Sequence, residues 1–202
     1  MLYLIARYLL FPVAWLYLRT RVFGWKNTRV KGSAIVVCNH LNTLDPVVLA
    51  YLFRRPIRFL AKSELYTTPF WIWFYGSILT IPVQRKTADL SSLKMSLKLL
   101  GKGKILGIFP EGTRSSTGEL GAFEKGVGLM AQKSQAEIIP IYIHPGSYKP
   151  LRPKVIIGEH INIKALIADV PRSEQLERIN QTIENAVKDL GKQLEKRLCK
   201  SN

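Results

Sequence analysis

The chain has 202 residues, 47% of them hydrophobic, with 30 Lys+Arg against 14 Asp+Glu and a formal charge of +16. That length and apolar content exclude a disordered chain and suit one domain with a full core. The charge calls for an acidic counterpart: nucleic acid, anionic lipid, or an acidic protein or substrate. Two cysteines, Cys38 at the end of an apolar run and Cys199 in the polar tail, have no metal-ligand spacing and no evident disulfide partner, which fits a reducing cytosolic setting.

The first element is MLYLIARYLLFPVAWLYL, residues 1–18, apolar apart from Arg7. It lacks the basic start and small-residue cleavage site of a signal peptide. Eighteen residues lie near the lower limit for crossing a bilayer, and Arg7 and Pro12 interrupt the run. The reading is therefore a helix or helix pair lying in a membrane interface rather than a span. Arg7, Arg19, Arg21, Lys26, Arg29 and Lys31 face no acid before Asp45. A buried N-terminal helix leaves that basic run unexplained, whereas anionic headgroups attract such residues at about 1 kcal/mol each. One soft boundary follows, between a membrane-associating segment, 1–31, and a folded domain, 32–202.

From residue 32 strands and helices alternate, which predicts an α/β fold with a mostly parallel central sheet flanked by helices. Strands are expected at 34–38, 57–61, 78–83, 105–109, 138–143 and 154–157. Helices are expected after Asp45, over 90–100 with Gly101 and Gly103 as stop signals, and over 126–133. The aromatic stretch 65–83 reads as a short helix at 70–75 followed by a strand, since Pro69, Gly76 and Pro82 disfavour a transmembrane helix. Its tryptophans suit either a membrane interface or a plain aromatic core. A last helix over 173–198 carries Leu176, Ile179, Ile183, Val187, Leu190, Leu194 and Leu198 at helical spacing, a core-facing stripe.

Two loops carry chemistry. In VVCNHLNTLDP, residues 36–46, the strand ends before His40, and Asp45-Pro46 reads as a helix start with Asp45 at the N-cap. His40 then sits in a strand-to-helix loop, where α/β folds build sites, beside a carboxylate that can hold its tautomer and stabilise its protonated form. Alone, such a pair also arises from ordinary capping. In GIFPEGTRSS, residues 107–116, Glu111 and Arg114 project from a loop at the end of another strand, and the arginine fork suits a phosphate or carboxylate. Neither a Walker A sequence nor Gly-x-Ser-x-Gly occurs, so P-loop and serine-hydrolase readings fail.

In order, NHLNTLD, FLAKSEL at 59–65, GSILTIPVQR at 76–85, FPEGTRS at 109–115, FEKG at 123–126 and IIPIYI at 138–143 resemble the motifs of the glycerolipid acyltransferase family, specifically its bacterial-type 1-acylglycerol-3-phosphate acyltransferases. The resemblance runs from about 32 to 145. The histidine-aspartate and FPEGTR motifs are highly specific; IIPIYI is weak, because any buried strand looks like it. Gln84 stands where the family commonly has aspartate before the second-motif arginine, a departure that touches substrate preference more than chemistry.

The resemblance implies transfer of a fatty acyl group from an acyl thioester to the free hydroxyl of 1-acylglycerol 3-phosphate, giving phosphatidate. In that scheme His40 is the general base and Asp45 orients and supports its imidazolium, with no covalent enzyme intermediate. Lys62, Arg85 and Arg114 hold the acceptor phosphate. Glu111, Gly112 and Thr113 complete the substrate-binding turn, with Glu111 anchoring Arg114 or the loop, since its charge repels phosphate. No metal or cofactor is implied beyond acyl-coenzyme A or acyl-acyl-carrier protein as co-substrate, and His144 and His160 are expected to have no role. The implied partners are anionic membrane lipids and a lysophospholipid, not nucleic acid, at the cytoplasmic face of the cell membrane, peripheral or monotopic. Glycerol 3-phosphate or another lysolipid is the alternative acceptor. A non-catalytic basic module binding membranes or nucleic acid would leave both loops unexplained.

Overall fold

The computed structural model describes residues 2–5, 8–9, 11–84, 90–148 and 151–200. Arg7 and Arg85, both used in the sequence reading, lie outside them. Two short apolar helices, α1 (Leu2–Ile5) and α2 (Phe11–Leu18), lead into β1 (Arg21–Phe23) and a single 3-10 turn at Trp25–Thr28. There follow β2 (Ala34–Cys38), α3 (Asp45–Leu52), β3 (Ile57–Lys62), α4 (Pro69–Ser77), β4 (Ile81–Val83), α5 (Leu90–Gly101) and β5 (Ile105–Ile108). The chain continues through α6 (Gly126–Ser134), β6 (Glu137–Ile143), β7 (Lys154–Ile157), α7 (Ile163–Leu166) and α8 (Arg172–Cys199).

The strands form one seven-stranded sheet in the order β1-β7-β6-β2-β5-β3-β4. All neighbours are parallel except β6 and β7. Every residue of β2, near the middle, is buried, which is why its sequence is an unbroken apolar run rather than an alternation. Its side chains nonetheless point to opposite faces by turns. Ile35 and Val37 join a core with Met130 of α6 and Ile179, Ile183, Val187 and Leu194 of α8; Val36 and Cys38 join a second with Val48, Leu49 and Leu52 of α3. The stripe read from the last helix is thus the inner face of α8.

Because β2, β3, β4, β5 and β6 run the same way, their carboxyl ends share one edge of the sheet. That edge receives His40 after β2, Lys62 at the end of β3, the 109–115 loop after β5 and the segment after β6.

Several boundaries differ from the sequence reading. The strand expected at 78–83 begins only at Ile81, because Ile78 closes α4, Leu79 is left-handed at φ 66° and the Thr80 hydroxyl donates to the Tyr75 carbonyl. Asp45 lies within α3 rather than capping it; Leu44 holds the cap position without a side-chain bond. The sequence reading missed β1 and α7. Since β1 pairs with β7, the composition break near residue 31 is not an edge of the folded unit. His160, expected to be idle, ties the start of β6 to the 3-10 turn through Glu137 Oε2 at 2.9 Å and the Asn27 carbonyl at 2.8 Å.

Gly107 of β5 marks a close approach that serves the site. A Cβ there would run into the Phe59 ring and lie 2.7 Å from Ile57 Cγ2, and Phe59 in turn stacks on Phe109 at 5.9 Å. Gly107→Ala is therefore expected to lower stability by about 1–3 kcal/mol, the usual cost of overpacking, seen as an earlier thermal transition by circular dichroism.

Candidate active site

His40 follows Asn39, which fastens the end of β2 to the end of β6. The Asn39 side chain donates to the Ile143 carbonyl at 2.9 Å and accepts from the Ile143 amide at 2.8 Å, copying a strand pair where the ladder stops. The His40 main chain is held by the loop after β5: its amide donates to Glu111 Oε1 at 2.9 Å and its carbonyl accepts from the Ser115 amide at 2.8 Å. The ring lies on Phe109, centroids 4.1 Å apart. Backbone and ring are thus both fixed before any substrate arrives.

His40 Nδ1 is 2.8 Å from Asp45 Oδ2. The histidine side chain is 14% exposed and the aspartate is fully buried. The same Oδ2 accepts the amides of Leu41 and Asn42, both at 2.7 Å, so the carboxylate reaches back into the loop before its own helix instead of capping that helix. Oδ1 accepts from the Tyr148 hydroxyl. Burial first, and the Asp45 charge second, push the Tyr148 phenol far above its ordinary range, so it keeps its proton and acts as a donor. An aspartate carboxylate only accepts, so Nδ1 carries its hydrogen and Nε2 is left with the lone pair. Nε2 is then the ring nitrogen able to accept a proton.

The turn after β5 needs Gly112, at φ 67°; a Cβ there would also lie 2.5 Å from Glu124 Oε1. Glu111 serves the loops and not Arg114: besides the His40 amide it accepts the Gly121 amide at 2.9 Å through Oε2. Arg114, exposed, donates from Nη1 to Thr43 Oγ1 at 2.7 Å, which sets its guanidinium beside the His40 loop. Thr113 continues the turn between them. Lys62, half exposed at the carboxyl end of β3, lies 3.8 Å from Glu64. Beneath the site, burial pushes the Cys38 thiol up, and it packs as a core residue. Among the described residues no group of three metal-ligating side chains occurs.

Sequence reasoning missed Asn39, Phe109 and Tyr148. Asn39 and Phe109 stood next to recognised residues, but Tyr148 lies 103 residues from Asp45 with no signal beyond closing the segment after a buried strand.

Apart from Tyr148, the residues of this geometry lie inside the stretch, residues 19–144, that matches the Acyltransferase family model. The chain belongs to the acyltransferase family. It is 31% identical over 181 residues to the 1-acyl-sn-glycerol-3-phosphate acyltransferase of Bacillus subtilis (strain 168), a match covering 87% of this chain and 89% of that one. It is 32% identical over 126 residues to the protein of the same name from Borreliella burgdorferi, covering 61% of this chain and 50% of that one. Among solved structures, the 1-acyl-sn-glycerophosphate (LPA) acyltransferase PlsC from Thermotoga maritima matches with a TM-score of 0.66 at 23% identity, over 89% of this chain and 76% of that one, and shares its fold.

In this acyltransferase the buried contacts and the exposed ones should separate in stability measurements. Tyr148→Phe leaves Oδ1 of a buried carboxylate without its donor, and Glu111→Ala leaves two main-chain amides without an acceptor. Each should cost about 1–3 kcal/mol in urea unfolding, whereas Arg114→Ala should stay within about 0.5 kcal/mol.

Proposed function

We propose that the enzyme transfers a fatty acyl group from an acyl thioester to the free hydroxyl of 1-acyl-sn-glycerol 3-phosphate, forming phosphatidate. The observation that carries this reading is the His40 ring held at Nδ1 by buried Asp45, in a loop at the carboxyl end of β2 of a family acyltransferase domain. The names of the bacterial relatives support the acceptor.

Nε2 takes the proton of the acceptor hydroxyl as the oxygen attacks the thioester carbonyl. The tetrahedral intermediate collapses, the carbon-sulfur bond breaks, and the thiolate leaves with the proton that the imidazolium returns. Asp45 compensates the charge on the ring during that cycle, and its four donors stop it from swinging away. Arg114 and Lys62 bracket the loop edge and receive the acceptor phosphate, joined by Arg85. Glu111 acts one step removed, by holding the His40 main chain. The donor is an acyl-carrier protein or coenzyme A thioester.

Since a positioned base is worth about 10²–10⁴-fold, His40→Ala should lose activity by that factor with an unchanged melting curve. Arg114→Ala should instead raise KM for the acceptor and leave the donor KM nearly constant. Steady-state assays over a panel of acceptors, glycerol 3-phosphate included, with both donors and mass-resolved products decide the reading. Acylation of glycerol 3-phosphate alone would overturn the acceptor assignment.

The enzyme works at the cytoplasmic face of the cell membrane, docked by its N-terminal segment. No described helix is long and apolar enough to cross a membrane, while Val13, Trp15, Leu16 and Tyr17 of α2 are all exposed. Because β1 belongs to the sheet, deleting residues 1–31 would remove a strand with the anchor. Charge reversal is the cleaner test: Arg19, Arg21 and Lys26 changed together to Glu should weaken sedimentation with anionic vesicles, and the difference should shrink as salt rises.

A further inference from the structure

The sequence left α4 undecided between an aromatic core segment and an interfacial helix. In the structure no residue of α4 is buried, and none belongs to either core cluster. Phe70, Trp71, Ile72 and Trp73 are 59%, 41%, 54% and 58% exposed. The aromatic rings of α4 pack mainly on one another: Phe70 meets Trp71 edge-on, Trp73 tilted and Phe74 stacked, and Trp71 meets Phe74 edge-on and Tyr75 stacked. The helix carries no charge and is firmly begun, with Pro69 in its first turn and Thr68 Oγ1 accepting the Trp71 amide. A rigid, uncharged, unburied aromatic helix is a patch that needs a cover.

Its place in the fold says what the cover is. Among the described residues β4 pairs with just the last three residues of β3, Ile81 with Leu60 through Val83 with Lys62. The chain therefore leaves β3 at the carboxyl edge and returns within about 7 Å of it, two residues of strand rise. That perches α4 at the edge that holds His40.

The other exposed apolar helix reaches the same edge by a different route. β7 runs against β6, with Val155 opposite Ile143, and β1 runs with β7, with Arg21 opposite Lys154. The start of β1, and hence the end of α2, thus lies at the carboxyl end of β6. The Thr20 hydroxyl is bonded to Tyr51 in the last turn of α3, which ties this end to the helix that begins at Asp45. In the strand order, β1 is three places from β2 on one side and β3 is two places on the other. Two exposed aromatic helices therefore straddle His40, about 24 Å apart at strand spacing.

We propose that α4 is a second membrane-docking element, seated among the headgroups of an anionic bilayer, so that α2 and α4 together hold the catalytic edge down against the membrane. The inference builds on the lipid acceptor proposed above. A bilayer covers two separated patches at once without needing a matched shape. A helix of nine residues is far too short to span a membrane, and tryptophan favours the headgroup level. Exposed Arg19 and Arg21 beside α2 and half-exposed Lys62 ahead of α4 set positive charge around both patches, complementary to an anionic leaflet and not to a second copy of a +16 chain.

The test uses the full chain carrying Phe70→Ser and Trp73→Ser together, both exposed and outside the proposed catalytic and phosphate-binding groups. Sedimentation with phosphatidylcholine/phosphatidylglycerol vesicles holding no substrate should show partitioning weakened about tenfold or more. Activity should fall on vesicle-embedded acceptor and hold on a short-chain, water-dispersed one. In a Trp15→Phe, Trp25→Phe background, the fluorescence of Trp71 and Trp73 should be quenched by lipids brominated near the headgroup. Unchanged vesicle binding overturns the proposal. So does equal loss on dispersed acceptor, which assigns α4 to the substrate cleft, or a dimer in sedimentation velocity that the double variant dissociates. If vesicle binding falls as expected while the intact enzyme acylates no lysophosphatidate, the docking role stands and only the acceptor assignment fails.

Discussion

A carboxylate with no access to water is tolerable only where its oxygens are filled with donors, and Asp45 is such a group. Three of its four donors come from the loop it closes, Leu41, Asn42 and His40, and the fourth, Tyr148, comes from the far side of β6. The loop consequently has one conformation, and the imidazole has one tautomer. The preference of the helix start for negative charge adds to this without being its main cause, because the carboxylate points back into the loop rather than onto the first turn of α3.

The same economy explains why the two specific motifs, about 70 residues apart in the chain, act as one site. β2 and β5 are parallel neighbours, with Ala34 opposite Ile105 and Val37 opposite Ile108. Their carboxyl ends are separated by one strand spacing, about 4.8 Å. His40 and Glu111 therefore meet by register, and the bond between the His40 amide and Glu111 turns that proximity into fixed geometry. Glu111 is thereby a structural part: it satisfies main-chain donors on two loops, while the exposed Arg114 bonds Thr43 instead.

Stability and function are divided between the faces and the edge of the sheet. The faces are closed by α3 on one side and α5, α6 and α8 on the other, mainly through apolar contacts. The carboxyl edge instead receives the polar loop residues His40, Lys62, Glu111 and Arg114. That division lets loops at the edge vary in contact and charge without disturbing the core.

The features legible along the chain are local: the apolar runs of buried parallel strands, the stripe of α8, the histidine-aspartate loop and the Pro-Glu-Gly-Thr-Arg turn all announce themselves within a few residues. Three things were decided only in the tertiary structure. Short β1 has just three residues and no distinctive pattern, and it becomes a strand because β7 presents it with an edge. Tyr148 became part of the site because β6 delivers it to Asp45 from 103 residues away, a contact with no local trace. The aromatic run around α4 could have been core or surface, since periodicity reports which residues are apolar and not what covers them; the tight return of β4 onto the end of β3 put it outside. Spacing along the chain encodes helix faces and turns, whereas burial and long-range hydrogen bonds depend on which strands become neighbours.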